Sequence, residues 1–414
     1  MTETSEPTEV SFLDPVVQDD PFAVYRALRE RCPVYHEART ETYHVLGYDE
    51  VRTVLTDPPR FSNRRRRQAG TAPAALVAHG RALAERGWSR VDTLQRTDPP
   101  VHTRYRRMLA RAFTPRRVAE LEPRVRSLME GLADGIAERG ECEFVADVAL
   151  PLPGIVIAEQ IGLDEQRYET FRRWADAMLA LPNRPDLSVA EALEQAEIEL
   201  EAQHHLAALF EARRREPTGD LISVLVHANE EGEEPLAVGE LQDLLHQLIT
   251  GGYETTTSAL TKGMWLLLRH PDQFALLRED EARLGGFIEE VLRFDSPVQG
   301  LWRSTACPVE IGGVELPEGA TVMVRYGAAN RDPDRFEDPD RFDIRRPDVR
   351  EHVAFGLGPH YCIGAALARM EMRVAFEVLL ARFPVIELAA PVPTPAHGPS
   401  TFLRSMKELR LRLA

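Results

Sequence analysis

The chain has 414 residues, of which 43% are hydrophobic and 28% charged, and its formal net charge at pH 7 is -16. This is ordinary globular usage, long enough to bury a large core, and the acidic balance excludes nucleic acid and anionic membranes as general partners while leaving room for a local basic patch. The four cysteines, Cys32, Cys142, Cys307 and Cys362, form no C-x-x-C pair, which argues against a disulfide scaffold, a zinc knuckle or a bound iron–sulfur cluster and fits a reducing, cytoplasmic setting.

The acidic start MTETSEPTEV lacks the basic, then apolar pattern of a signal peptide, and no run of 18 apolar residues occurs, so no membrane span is expected. Residues 1–20 read as a loose lead-in, and 21–414 as one large domain. A short helix is expected over 21–30. A hairpin around Val34, Tyr43, Val45 and Leu46 follows, then a helix up to Leu55. Residues 61–97 read as irregular and polar, with the Arg64–Arg67 run as a solvated loop. Helical periodicity then dominates, over roughly 101–111, 115–138, 151–161, 164–180, 188–214 and 236–268. Thr114 before Pro115 is a cap with proline at the first helical position. A helix at 280–294 leads into strands at 308–313 and 320–325, and 327–350 reads as coil. A last helix spans 363–382, with short strands and turns to the end. The fold class is therefore mainly α with a minor β region, without internal repeats or a dividing linker.

The strongest motif is His352-Val-Ala-Phe355-Gly356-Leu-Gly358-Pro-His360-Tyr-Cys362-Ile-Gly364. The glycines before Cys362 permit a tight turn, and the alanine-rich stretch after it favours a helix. Cys362 thus stands at a helix N-terminus, where free N–H groups favour a thiolate. A thiolate beside backbone donors suits the proximal position of a haem iron, its donation tuned by those N–H groups. Gly364 leaves room for a flat macrocycle, and Phe355 shields the sulfur. For Cys32, Cys142 and Cys307 a buried small hydrophobe is the plainer reading.

A second motif lies inside the longest periodic stretch, Gly251-Gly252-Tyr253-Glu254-Thr255-Thr256-Thr257. Two glycines and three threonines are unfavourable in mid-helix, by several tenths of a kcal/mol each and about 1 for each glycine. Such a local cost often marks a site. The glycines, Gly252 included, remove side chains where a ligand crosses. The Thr255 hydroxyl can bond back to the carbonyl of Gly251 and open a groove. Glu254 can pass protons inward.

With these motifs the chain resembles the cytochrome P450 family, in particular its soluble bacterial class I members, over nearly its whole length. The resemblance implies a single domain holding haem b (iron protoporphyrin IX) between two helices, with Cys362 as the metal ligand. It implies a monooxygenase that hydroxylates or epoxidises a small or medium organic substrate with O2, in secondary metabolism. Thr255 and Glu254 match the alcohol and the acid of the oxygen-activation motif. Glu290-Val-Leu-Arg293 and the later Asp338-Pro-Asp-Arg341-Phe resemble the family's scaffold motifs, so Glu290, Arg293 and Arg341 are expected to form a buried ionic cluster. His102 and Arg106, after Asp98-Pro-Pro, and Arg303 and His360 match the groups that hold the haem carboxylates. Leu94, Leu179, Leu181, Gln247, Thr250, Gly251, Val298, Leu301, Trp302 and Phe402 are placed around the substrate, with Gln247 and Thr250 as a polar edge.

No flavin or nicotinamide motif is present, so electrons are expected from a ferredoxin and an NAD(P)H-dependent ferredoxin reductase. Arg106, Arg111, Arg116, Arg117, Arg369 and Arg373 are read as a basic patch for an acidic ferredoxin. Two other readings stay open. One is a peroxide-using hydroxylase or decarboxylase of the same fold, whose members usually lack the acid–alcohol pair. The other is a haem-binding sensor without turnover. The substrate is not legible.

Overall fold

The computed structural model describes residues 10–64, 72–184, 186–228, 234–390, 397–398 and 400–414. Most of the chain is helical. The helices that build the site are a roof helix Ala74–Arg86, a proximal helix Val101–Ala110, a flanking helix Pro115–Arg139, and an apolar helix Pro151–Gln160. They continue with a crossing helix Tyr168–Asn183, a cover helix Val189–Arg215, a long helix Val238–Arg269, a scaffold helix Leu284–Phe294 and a cysteine helix Ala365–Arg382.

Local chemistry sets several of the ends. Thr114 caps the flanking helix, its hydroxyl accepting from the Arg117 N–H at 3.3 Å, and Pro115 opens the first turn. That helix stops at Gly140, which takes a φ of 71° that costs a glycine little. The long helix ends at Arg269, just before His270-Pro271, where the proline ring disfavours helical geometry for its predecessor.

The sheet is small and sits to one side. Its five strands run in the order Val34–Glu37, Thr42–Val45, Thr321–Val324, Leu301–Thr305, Phe61–Ser62. The hairpin is antiparallel, Thr42–Val45 pairs in parallel with Thr321–Val324, and Leu301–Thr305 runs antiparallel to the latter. This register puts Arg303 opposite Val322 and buries it. The main apolar core joins the flanking, apolar, long, scaffold and cysteine helices, and a second core joins the proximal, crossing and cover helices to the first half of the long helix. Among the described residues no single helix is long and apolar enough to cross a membrane.

Two expectations need correction, and a third is not tested. The 61–97 stretch is not irregular throughout, because Ala74–Arg86 is helical. The Arg64–Arg67 run lies outside the described residues beyond Arg64. The lead-in is packed from residue 10 onward: Phe12 is buried, and the Ser11 hydroxyl donates to Glu37 at 2.6 Å. Helices at Leu221–Val226 and Pro271–Glu279 were not expected. The first is too short for periodicity to register.

Candidate active site

The cysteine loop is built by two left-handed glycines, Gly356 at φ 68° and Gly358 at φ 66°. Gly358 has a second reason to be glycine, since a Cβ there would meet the Leu55 carbonyl oxygen at 2.6 Å. The turn closes when the Cys362 N–H donates to the Phe355 carbonyl at 2.8 Å. The helix then starts at Ala365, two residues later than expected, with Gly364 at its cap. A Cβ on Gly364 would stand 3.9 Å from the Cys362 sulfur, so its absence keeps that flank open. Cys362 keeps accessible surface, yet burial is the largest influence on its thiol and pushes it up. The N–H groups of Gly364 and Ala365 and the charges of Arg106 and Arg369 pull it back toward the thiolate.

The loop is anchored from outside. Arg369 on the cysteine helix grips Glu289 through Nε at 2.6 Å and Nη2 at 2.9 Å, and its guanidinium lies 4.4 Å from the centre of the Phe355 ring. The His352 Nε2–H donates to the same Glu289 at 2.9 Å. Hydrogen bonds to charged partners of this kind are strong, and together they hold the Glu289 carboxyl at about 2 against the opposing effect of burial. Glu289, His352 and Arg369 were not read as an anchor from the sequence; their only signal was an acid beside Glu290 and a basic residue one face along the helix.

Glu290 and Arg293 are fully buried and bonded twice, Nε to Oε2 at 2.7 Å and Nη2 to Oε1 at 2.9 Å. Arg293 also donates to the carbonyls of Asn330 at 2.8 Å, Pro339 at 2.9 Å and Arg341 at 3.2 Å. Arg341 therefore joins through its backbone alone. Its side chain is 58% exposed and pairs with Asp343 at 3.5 Å. The third charge is Arg346, whose Nε lies 3.4 Å from Glu290 and whose side chain is 7% exposed. The expected role of Arg341 thus passes to a residue five positions on, because the turn after Phe342 carries Arg346 inward.

His102 and His360 meet with ring centroids 4.1 Å apart. Both Nε2 atoms are buried without a hydrogen-bond partner. Burial lowers His102, and burial with the charges of His102, Arg303 and Arg106 takes His360 down to about 3. Arg106 and Arg303 thus share one neighbourhood with the two rings. Orphaned buried imidazole nitrogens beside two guanidinium groups await an anion. The carboxylates of iron protoporphyrin IX answer that demand, and Cys362 offers the sulfur for its iron. The donor set fits the group.

On the long helix the Thr255 hydroxyl donates back to the Gly251 carbonyl. A Cβ on Gly251 would meet nothing within 4 Å, so this residue borders open space. Gly252 does not: its Cβ would stand 2.7 Å from a methyl of Ile157, so it serves packing against the apolar helix rather than the expected cofactor face. Glu254 receives both hydrogen bonds of the Asn183 amide, at 3.1 and 3.2 Å, and burial raises its carboxyl.

The pocket residues fall into two groups. Val298 bridges to Leu403, and Trp302 meets Phe402 with ring centroids 5.3 Å apart, beside Leu301 at the start of its strand. The other group gathers where the long helix meets the connection at 87–98. Leu94 packs there on the second core, as does Leu179 of the crossing helix. Leu181 is partly buried near the end of that helix. The expected polar edge is satisfied internally. Gln247 accepts from the Gln95 N–H at 3.0 Å and donates to Thr93 at 2.8 Å and Asp243 at 2.6 Å. Thr250 donates back to the His246 carbonyl at 2.7 Å.

A cysteine at a helix mouth, an anion-seeking rim and a threonine-notched long helix define a haem-thiolate enzyme. Comparison with known proteins agrees. The family model described as Cytochrome P450 matches residues 190–412. The chain is 39% identical to cytochrome P450 monooxygenase PikC of Streptomyces venezuelae, over 95% of this chain and 91% of the relative. It is 35% identical to 6-deoxyerythronolide B hydroxylase of Saccharopolyspora erythraea, over 95% and 96%. The structure of CYP109Q5 from Chondromyces apiculatus superposes with a TM-score of 0.84 at 37% identity, covering 98% of each chain. CYP109E1 from Bacillus megaterium, solved in complex with testosterone, gives 0.82 at 32% identity, covering 96% and 99%. The chain belongs to the cytochrome P450 family, of the bacterial class I type, and is a monooxygenase.

Proposed function

We propose that this monooxygenase inserts one atom of O2 into a C–H or C=C bond of a largely apolar, polycyclic or macrocyclic secondary metabolite, in the reducing cytosol. The observation that carries the O2-dependent reading is the partly buried acid beside the back-bonded alcohol, Glu254 and Thr255. The substrate scale is supported by relatives whose names or structures refer to a 6-deoxyerythronolide B hydroxylase, a vitamin D(3) 25-hydroxylase and a testosterone complex. Its apolar character is supported by Gln247 and Thr250, whose hydrogen bonds are already spent on the protein.

Cys362 would hold the iron, and His102, Arg106, Arg303 and His360 the carboxylates. When bound, the haem supplies activation of O2 and transfer of one oxygen atom, the other leaving as water. The chain's own task is to deliver protons to one place and exclude water elsewhere. Glu254 takes up a proton on its partly buried carboxyl, which burial has already raised. Thr255, with its own hydrogen committed to Gly251, has lone pairs free to accept a donor and hold it at the notch. Trp302, Phe402, Leu94 and Leu179 supply apolar contact that displaces water from the substrate.

Electrons are assigned to a ferredoxin reduced by an NAD(P)H-dependent reductase. A recess of about 350 Å³ between the proximal and cysteine helices is lined by Arg106, Phe113, Tyr361, Cys362 and Arg369, a short route to the sulfur. Some of the expected basic patch is neutralised internally. Arg369 is bound to Glu289, Arg373 to Glu122 and Glu377, and Arg116 to Glu120.

The test is NADH consumption with ferredoxin and reductase, stimulated by a ligand chosen for a low-spin to high-spin Soret shift from a panel of macrolactones and steroids. Thr255→Ala should lower product per NADH and raise peroxide. Unchanged coupling removes the assigned role, and product formed only with added peroxide overturns the O2-dependent reading.

A further inference from the structure

Glu254 is held from a different element. Asn183 is the last residue of the crossing helix, and its Nδ2 donates to both Glu254 oxygens, at 3.2 and 3.1 Å. The other half of the same amide, Oδ1, is buried and has no partner. Among the described residues no cation pairs with Glu254. The neighbouring Arg184 is committed to Glu191 at 3.2 Å, and Arg172 to Glu169 at 2.8 Å.

A carboxyl that relays protons must be held in place both as acid and as anion. A lysine or arginine beside it would favour the anion alone. A primary amide can serve both forms: its NH2 donates to a carboxylate, as it does here, where that bond draws the Glu254 carboxyl down against burial, and its carbonyl can accept from a carboxylic O–H after a half-turn of the side chain. The Asn183 amide has this arrangement: one half engaged, the other buried and spare. We infer that Asn183 is a positioning residue that keeps Glu254 at its post in both protonation states, which lets the relay reload from neutral water. The inference rests on the relay reading of Glu254 above.

The surroundings agree. Burial raises the Glu254 carboxyl, and Asp176 adds like charge, standing two turns before Asn183 on the same face of the crossing helix. Asp176 keeps much of its surface in solvent, and the protein around its carboxyl partly desolvates and raises it. Asp176 in turn lies near Arg172 and Tyr253, and Tyr253 near Tyr168; both phenols are pushed well up by burial.

The experiment uses the holoenzyme with its ferredoxin and reductase. The carboxylic-acid infrared band that is lost in Glu254→Gln is titrated with pH, and peroxide per product is followed over the same range. Asn183→Lys should lower the band's midpoint by about one to three pH units, and the pH at which peroxide overtakes product should fall with it. Asn183→Leu should raise the midpoint and increase peroxide at every pH, while Asn183→Gln should stay nearer the parent. The carbon monoxide difference spectrum, unchanged, shows that the thiolate side is intact. A lysine variant with parental midpoint and profile overturns the inference. If that variant fails to fold, indistinguishable leucine and glutamine variants overturn it instead. Should Glu254→Gln itself leave the product-to-peroxide ratio unaltered, the relay reading falls first; if it leaks peroxide but the Asn183 variants are silent, only the role of Asn183 falls.

Discussion

Glu371 on the cysteine helix is 2% exposed, and one of its carboxyl oxygens is buried without a partner. Burial alone pushes its carboxyl up to about 8 from an ordinary 4.5. In the folded chain it therefore keeps its proton through neutral pH, while the unfolded chain gives it up. The stability this confers is complete below about 4.5 and is lost as pH rises toward about 8. The slope is about 1.4 kcal/mol per pH unit inside that window. Glu371→Gln removes the titration. Urea unfolding at several pH values should show parent and variant diverging across the window, and parallel curves would show that Glu371 ionises alike in both states. Single residues also account for what could not be read in advance. Asn183 has no motif, because an amide that serves a carboxyl 71 positions away shows no local pattern.

The scaffold helix and the segment after it act as one element through Arg293, which binds Glu290 and three carbonyls of 330–341. Breaking one partner of a buried ion pair typically costs about 3–5 kcal/mol, most of it the uncompensated charge left behind. Arg293→Leu should therefore lower thermal stability sharply and release haem on gel filtration. Arg346→Ala should destabilise clearly, whereas Arg341→Ala should stay within about 0.5 kcal/mol, as for an exposed site. The reverse order would return the third charge to Arg341. The motif Glu-x-x-Arg was legible because both charges lie one turn apart on one helix. The identity of the third charge was not, since irregular backbone from 338 to 348 decides which of several arginines turns inward. The roof helix escaped for a related reason. Its buried stripe is only Ala75, His79 and Leu83, one residue per turn with a histidine in the middle, and its apolar face is completed by the cover helix.

Across the whole molecule, the proposed ferredoxin would have to dock, as an acidic partner, on a chain with a net charge of -16. The proximal side can do so only through local positive charge, and part of that is offset by Glu120, Glu122, Glu289 and Glu377. Changing Arg111 and Arg116 together to Glu should weaken ferredoxin binding and flatten its dependence on salt, because fewer attractive charges remain to be screened. Binding and first-electron rate equal to the parent at low salt would move the docking face elsewhere. The carbon monoxide spectrum should be unaffected, since neither residue touches Cys362.

By itself the sequence determined the helical class, the cysteine loop and the notch in the long helix, and through its family resemblance it pointed to His102, Arg106, Arg303 and His360, which the structure gathers in one place. The first three are encoded by spacing along one turn or one loop, where glycine conformations, caps and helix faces are dictated by neighbours in the chain. Only the tertiary structure decided that Arg346 replaces Arg341, that Gly252 packs on Ile157, that Gln247 is spent on the connection at 93–95, and that Asn183 holds Glu254. Each of those depends on which side chain faces which across elements far apart in sequence. Burial then fixes the partner, because an unpaired polar group inside the protein costs more than any local preference can repay.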